Sequence, residues 1–159
     1  MIQRERIEDD MEKKNMDVVT QGVYLIGVKD DEKVNFMTAA WTTQISANPK
    51  TILVAVGKKH FTAEMIRKAG KFSINALAEG QEMIAKKCGY TSGRNTDKSV
   101  GIDYVLEEGV PIIKETAGYL SCVLKKELDE GDHILFVGTV TDGIKNDLPA
   151  LIYKEKEFF

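Results

Sequence analysis

Residues 56–62 place several phosphate-binding residue types side by side, directly after a predicted strand. Lys58, Lys59 and His60 are potential cations, and Thr62 adds a hydroxyl where a helix is predicted to begin. Charge-assisted donors and the N–H groups at a helix N-terminus are the groups that bind phosphate in proteins. The segment indicates either a phosphate site or a solvated basic turn in which Thr62 only caps the helix, and spacing alone leaves both open.

Residues 35–43 are rich in small and hydroxyl side chains for a predicted strand. Such a strand leaves room for a flat ring against its backbone, whose N–H and C=O groups can pair with the polar edges of the ring. The alternative is a strand packed closely by a helix, and spacing alone favours that alternative. The segment is therefore a candidate binding site for a flat ring, with close helix packing as the alternative.

Residues 90–101 form a predicted polar loop that is long for a connection inside one domain. Loops of this length are often functional, and Ser92, Arg94 and Lys98 supply hydrogen-bond donors within it. The alternative is a plain surface loop.

Motifs for acid–base or nucleophilic chemistry are missing from the sequence, which has no GxSxG, P-loop, HExxH or GxGxxG pattern. His133 begins a predicted strand and points either at a site or into a hydrogen bond of the preceding turn, the turn being the commoner case. It is the one weak catalytic candidate, and no acid–base residue is assigned.

The composition is that of an ordinary globular protein: 159 residues, 43% hydrophobic and 30% charged, with a net charge of −3. Disordered and collagenous classes are excluded. Interleaved charges argue against nucleic acid as a partner. The apolar runs are too short to span a bilayer, so no membrane partner is expected. Two cysteines, two histidines and no signal peptide predict a cytoplasmic protein with reduced thiols and no dedicated metal site.

Strands outnumber helices in the predicted element order. Helices are predicted over residues 62–69, with Gly70 following, and over residues 79–87, ending at Gly89. The predicted strands cover residues 23–28, 34–45, 51–56, 72–76, 118–128, 133–141 and 150–153, with short extended pieces within 102–114. We expect a charged N-terminal helix or arm over residues 1–17 and one domain over 18–159. The hairpin order predicts an antiparallel β-barrel decorated by helices.

Taken in order, these segments resemble the flavin reductase-like family, the FMN-binding split barrels that include flavoredoxin. The matching segments lie at residues 35–41, 46–49, 53–62, 72–77, 92–98 and 131–138. Each is weak alone, but six in the right order are fairly specific. Two departures stand out: Gly57 occupies the position of a possible serine phosphate donor, and His60 that of a frequent arginine.

The resemblance implies a mainly β protein with added helices, built on a six-stranded antiparallel Greek-key split barrel. It also implies a homodimer with one FMN per subunit near the interface. The implied cofactor-binding residues are Asn35, Met37, Thr38, Ala39, Ala40 and Trp41 along the ring, Lys59, His60 and Thr62 at the phosphate, and Ser92, Arg94 and Lys98 in the covering loop.

The implied function is an FMN-binding oxidoreductase, either a flavin reductase or a flavoredoxin-like electron carrier, with NAD(P)H or a redox protein as transient donor. Because the flavin carries the chemistry, the lack of an acid–base constellation does not argue against an enzyme. The alternative is a split-barrel protein that binds flavin without turnover.

Overall fold

The computed structural model describes residues 16–31 and 33–154, and this part of the chain contains nine strands and two α-helices. They are β1 (Tyr24–Lys29), β2 (Val34–Ala39), β3 (Thr42–Ala47), β4 (Lys50–Gly57), α1 (Phe61–Ala69), β5 (Lys71–Ala76), α2 (Glu82–Tyr90), β6 (Tyr104–Glu107), β7 (Val110–Ile113), β8 (Gly118–Glu130) and β9 (His133–Lys145). The predicted N-terminal helix or arm lies almost wholly outside the described residues. Met16–Val18 form a short 3₁₀ turn.

Seven strands form one antiparallel sheet in the order β2-β1-β5-β8-β9-β4-β3, and β6 and β7 form a separate hairpin. The edge strands β2 and β3 are consecutive in the chain and are separated by only Ala40 and Trp41. The two edges of the sheet therefore meet at this corner, as a barrel requires. The predicted fold class is confirmed, although the sheet has seven strands rather than six.

The buried apolar side chains of residues 16–31 and 33–154 form two cores, one on each side of the strands β1 and β2. The first fills the barrel and includes Phe72, Phe136 and Met65, the last of these from α1. The second lies beneath α2 and β7 and includes Phe36 and Leu25. Alternate residues of one strand serve opposite cores because successive side chains point to opposite faces. Both helices are thus anchored to β2.

Helix α1 begins one residue earlier than the sequence predicted. His60 occupies the N-cap position without a side-chain capping bond, and Thr62 lies inside the helix. The prediction that Thr62 caps the helix is therefore wrong. At the other end, Gly70 adopts φ 72° and its N–H donates to the Ile66 carbonyl, as predicted for a left-handed C-terminal residue.

Helix α2 is shifted toward the C-terminus relative to its prediction. It begins at Glu82 and continues through Gly89 to Tyr90, so Gly89 does not end it. The strand predicted over residues 150–153 is present only as single bridges, from Ala150 to Ala78 and from Ile152 to Gly22. Neither α1 nor α2, the helices of the described chain, has the length or hydropathy needed to cross a membrane.

Candidate functional site

A small cleft lies between β2, the first turn of α1, the end of α2 and the loop over residues 91–98. Half of the predicted cofactor-binding residues line it: Met37, Thr38, His60, Thr62, Ser92 and Lys98. The three segments singled out in the sequence therefore meet at one place.

Lys98 is the most unusual residue in the cleft because its side chain is charged and only 3% exposed. Its Nζ donates to the Cys88 carbonyl oxygen near the end of α2 at 3.1 Å, one of the three bonds that an ammonium can donate. Burial lowers the pKa of Lys98, and Lys33 lowers it further, while Cys88 acts in the opposite direction. The ammonium is thus held in the wall of the cleft at a cost in solvation.

The hydroxyl of Thr62 is oriented by β2. Thr62 is 2% exposed, and its Oγ1 accepts a hydrogen bond from Asn35 Nδ2 at 3.1 Å. One lone pair of Oγ1 accepts that bond, and the hydroxyl proton remains available to donate to another acceptor. Asn35 does not line the cleft itself, and its role is to orient Thr62.

His60 lies exposed at the N-cap of α1, on the rim of the cleft. Partial burial of the ring lowers the pKa of His60, and the positive charges of Lys98 and His133 lower it further. The imidazole is therefore mostly neutral at pH 7 and gains charge at a lower pH than an ordinary histidine. An anion bound between His60 and Lys98 would raise the pKa of His60 again, because it favours the charged imidazole.

His133 lies outside the lining of the cleft. Its Nδ1 is hydrogen-bonded to Asp132 Oδ1 at 2.5 Å, the turn arrangement weighed from the sequence, and its ring lies 4.5 Å from that of Trp41. The hydrogen bond to the imidazole lowers the pKa of Asp132. Trp41 is 53% exposed, so the pair forms a surface beside the cleft rather than a wall of it.

The remaining predicted residues are placed differently. Ala39 is 8% exposed and packs in the barrel core, so a larger side chain there would overpack the core and not only obstruct a ring. Ala40 is half-buried at the corner between β2 and β3, and Lys59 is exposed on the turn before α1. Arg94 forms an ion pair with Glu64 on α1.

Sequence reasoning did not select five further lining residues: Phe61, Cys88, Gly89, Thr91 and Gly93. Phe61 and Gly93 lie within the segments 56–62 and 90–101, but neither residue has a polar side chain that would mark it as a binding residue. Gly93 is required because a Cβ there would clash with Asn35 Oδ1. Cys88 and Gly89 carry no signal, because only the packing of α2 against Thr38, whose Oγ1 donates to the Ala85 carbonyl oxygen at 2.6 Å, brings them to the cleft.

The fold is a split barrel, and Lys98 and His60 are among the residues that line its cleft. The family model of the flavin reductase like domain matches residues 16–159. The chain belongs to the flavin reductase-like family.

One curated relative and two solved structures show how far the similarity extends. The chain is 36% identical over 135 residues to the high molecular weight rubredoxin of Moorella thermoacetica, covering 83% of this chain and 59% of that protein. The chain therefore spans less than two thirds of this relative's length. The FMN-binding protein from Thermus thermophilus, with bound 1-cyclohex-2-enone, has a TM-score of 0.81 at 30% identity, covering 87% of this chain and 84% of that one. The Streptomyces globisporus NADH:FAD oxidoreductase has a TM-score of 0.81 at 25% identity, covering 86% and 82%.

Proposed function

We propose that the protein is an FMN-dependent oxidoreductase that receives electrons from NAD(P)H or from a redox protein. Membership of the flavin reductase-like family supports a flavin oxidoreductase. The observation that carries the choice of a phosphorylated flavin is the buried Lys98 ammonium, which lines the same cleft as Thr62 and His60. A cation enclosed beside a hydroxyl and a helix N-terminus suits a phosphate group.

The residues of the cleft fit FMN by charge and by the apolar character of part of the lining. Among the described residues, the charged groups that act on Lys98 and His60 include Lys33 and His133 but no carboxylate. An incoming phosphate would therefore supply the missing negative charge. The aliphatic and aromatic side chains of Met37 and Phe61 provide the apolar walls that a flat ring needs.

Each residue then has a distinct task. Lys98 and the N–H groups at the start of α1 bind the phosphate, Thr62 donates its hydroxyl proton to it, and His60 adds charge when protonated. Asn35 holds Thr62 in orientation. Bound FMN supplies hydride and single-electron transfer itself, and no proton transfer is assigned to a side chain.

Two of the similar proteins support a proposal for the electron donor. The similar Streptomyces structure is named as an NADH-dependent oxidoreductase, and the Moorella relative as a rubredoxin of high molecular weight. We favour a reduced nicotinamide that binds transiently beside the flavin, with a protein donor as the second candidate. A cytoplasmic location, given earlier as a prediction, accords with either donor.

The test is a visible spectrum of the purified protein before and after reconstitution with FMN, FAD or riboflavin, followed by anaerobic addition of NADH and NADPH. We expect retention of FMN and bleaching of the flavin band by one of the nicotinamides. Tighter binding of FAD would change the cofactor assignment. A flavin that stays oxidised with both nicotinamides would leave the protein-donor and non-catalytic alternatives, and a protein that binds none of the three flavins would overturn the proposal.

We also propose that the protein is a homodimer. The long hairpin of β8 and β9 exposes Val123, Leu128 and Ile144 at 47%, 48% and 53%. A second copy of the chain that covers these side chains and Trp41 would remove them from water. Sedimentation should give about 35 kDa, twice the chain mass of 17.7 kDa, and a monomer that binds flavin normally would contradict an interface-built site.

A further inference from the structure

The loop over residues 91–98 is attached to the rest of the protein by several contacts beyond its two ends. Ser92, Gly93 and Lys98 line the cleft, so the loop is one of its walls. The Lys33 ammonium, from the turn between β1 and β2, donates to the Gly93 carbonyl oxygen. These contacts hold the wall of the cleft from the side of β2.

Arg94 attaches the same loop to the first turn of α1. Its Nη1 donates to Glu64 Oε2 at 3.1 Å, and its Nη2 is hydrogen-bonded to Glu64 Oε1. The guanidinium also lies 5.1 Å from the centre of the Phe61 ring, which Lys33 Nζ approaches to 4.4 Å. Phe61 therefore contacts both cations, one from each attachment of the loop.

Arg94 is thereby committed to protein partners. A guanidinium that pairs in a bidentate manner with a carboxylate has its strongest acceptor already. All of these contacts are between protein groups, and none involves Lys98, His60 or the Thr62 hydroxyl, so they are compatible with a bound flavin.

We propose that Arg94, Glu64, Phe61 and Lys33 form a latch that keeps the 91–98 loop closed over the cleft. Arg94 is then a positioning residue that sets how fast the flavin enters and leaves, and it is not a phosphate ligand. This part of the proposal depends on the proposed function, because it needs a flavin in the cleft. The closure of the loop by the latch does not depend on it.

The first experiment measures flavin association and dissociation rates by stopped-flow fluorescence for wild type and Arg94→Gln. Because the latch must open for both entry and exit, we expect both rates to rise about 3- to 10-fold. The dissociation constant should change less than about 2-fold. FMN and riboflavin should respond alike, whereas a phosphate ligand would weaken FMN alone, and that result would overturn the proposal.

A charge exchange makes the test specific for the pair. Glu64→Arg and Arg94→Glu should each speed flavin exchange, and the double variant should restore rates to within about 2-fold of wild type because the ion pair is remade. The matched control is Arg67→Gln, which breaks another exposed ion pair of α1, between Arg67 and Glu127 at 2.9 Å. It should leave the rates unchanged, and equal effects at Arg67 and Arg94 would overturn the proposal.

Hydrogen exchange of the protein without added flavin tests the loop itself. Peptides covering residues 91–98 should exchange about 3- to 10-fold faster in Arg94→Gln and at the wild-type rate in Arg67→Gln. Unchanged exchange in Arg94→Gln would overturn the latch. If the wild type binds no flavin, the proposed function and the effect on flavin exchange both fail, while the exchange measurement still decides whether the latch exists.

Discussion

Two polar clusters among the described residues differ in how their hydrogen bonds are used. The first consists of Ser73 and Asn75 on β5, both 0% exposed. Asn75 Nδ2 donates to the Leu25 carbonyl oxygen at 3.1 Å, its Oδ1 accepts from the Ile113 N–H at 2.9 Å, and Ser73 Oγ donates to the Pro111 carbonyl oxygen at 2.5 Å. This cluster ties β5 to β1 and β7.

The second cluster is formed by Lys98 in the cleft with Thr62 and His60. Lys98 donates to one carbonyl oxygen and Thr62 accepts one amide bond, so both retain donors to offer. Among the residues that the structure describes, no carboxylate forms an ion pair with Lys98.

The difference separates a structural cluster from a binding cluster. A buried polar group whose donors and acceptors are satisfied within the protein contributes to stability and has nothing left for a ligand. A buried cation with spare donors costs stability and is compensated only by an anion. The first cluster should therefore respond in stability, and the second in ligand affinity.

The largest expected effect is on stability, from Asn75→Ala. The variant leaves the Ile113 N–H and the Leu25 carbonyl oxygen without their partner, which should lower the free energy of unfolding by about 2–4 kcal/mol. Urea denaturation measures this effect. The control is Asn95→Ala, on the exposed part of the loop, which should stay within ~0.5 kcal/mol of wild type. A weaker FMN affinity with normal stability in Asn75→Ala would contradict the comparison.

Lys98→Met should produce the opposite pattern. Losing a charged donor to the phosphate should weaken FMN about 10- to 100-fold and leave riboflavin within about 2-fold. Without flavin, the free energy of unfolding should not fall and should rise by as much as ~1 kcal/mol, because an uncompensated buried charge is removed. Fluorescence titration and urea denaturation provide the two readouts.

The control for Lys98 is Lys68→Met, at the far end of α1, where the side chain is exposed. It should change neither affinity nor stability noticeably. Equal losses of FMN and riboflavin affinity in Lys98→Met would place Lys98 at the ring instead of the phosphate.

His60→Ala should give a smaller effect that depends on pH. Because the pKa of His60 lies below its usual value, the imidazole gains charge below pH ~6.5. Lowering the pH from 8 to 5.5 should therefore increase the FMN affinity of the wild type relative to that of the variant by about 2- to 5-fold. The ionisation of the FMN phosphate affects both proteins equally, so it does not contribute to this ratio. Parallel pH profiles would remove His60 from the site.

The smallest effect is on the stability of the protein without flavin. For a group whose pKa is lower in the folded state, the unfolded chain binds more protons as the pH falls through ~6.5, so stability decreases in acid. Between pH 7 and pH 5, the free energy of unfolding should fall further in the wild type than in His60→Ala. The difference should be less than about 1 kcal/mol, since solvent screens the rim of the cleft. Thermal unfolding at the two pH values measures the difference. A larger fall in stability in the variant than in the wild type would contradict the lowered pKa of His60.

The elements of the fold could be predicted from the sequence because their signals are local. Alternation of side chains predicted the strands, and Gly70 predicted the end of α1 through its freedom to adopt a positive φ. The boundaries of the helices depend on tertiary contacts as well. Thr62 has the residue type of a cap but lies within the helix, and Gly89 did not end α2 because packing against β2 outweighs the low helix propensity of glycine.

By itself, the sequence determined the antiparallel architecture, the family resemblance and the three segments that meet in the cleft. Only the tertiary structure decided what each side chain does there. It placed Ala39 in the barrel core, buried Lys98, paired Thr62 with Asn35 and committed Arg94 to Glu64. The physical reason is that these roles depend on partners about thirty positions away in the chain or on burial by other elements. Hydrogen bonds and desolvation depend on distance in space, which the spacing of residues along the chain does not report.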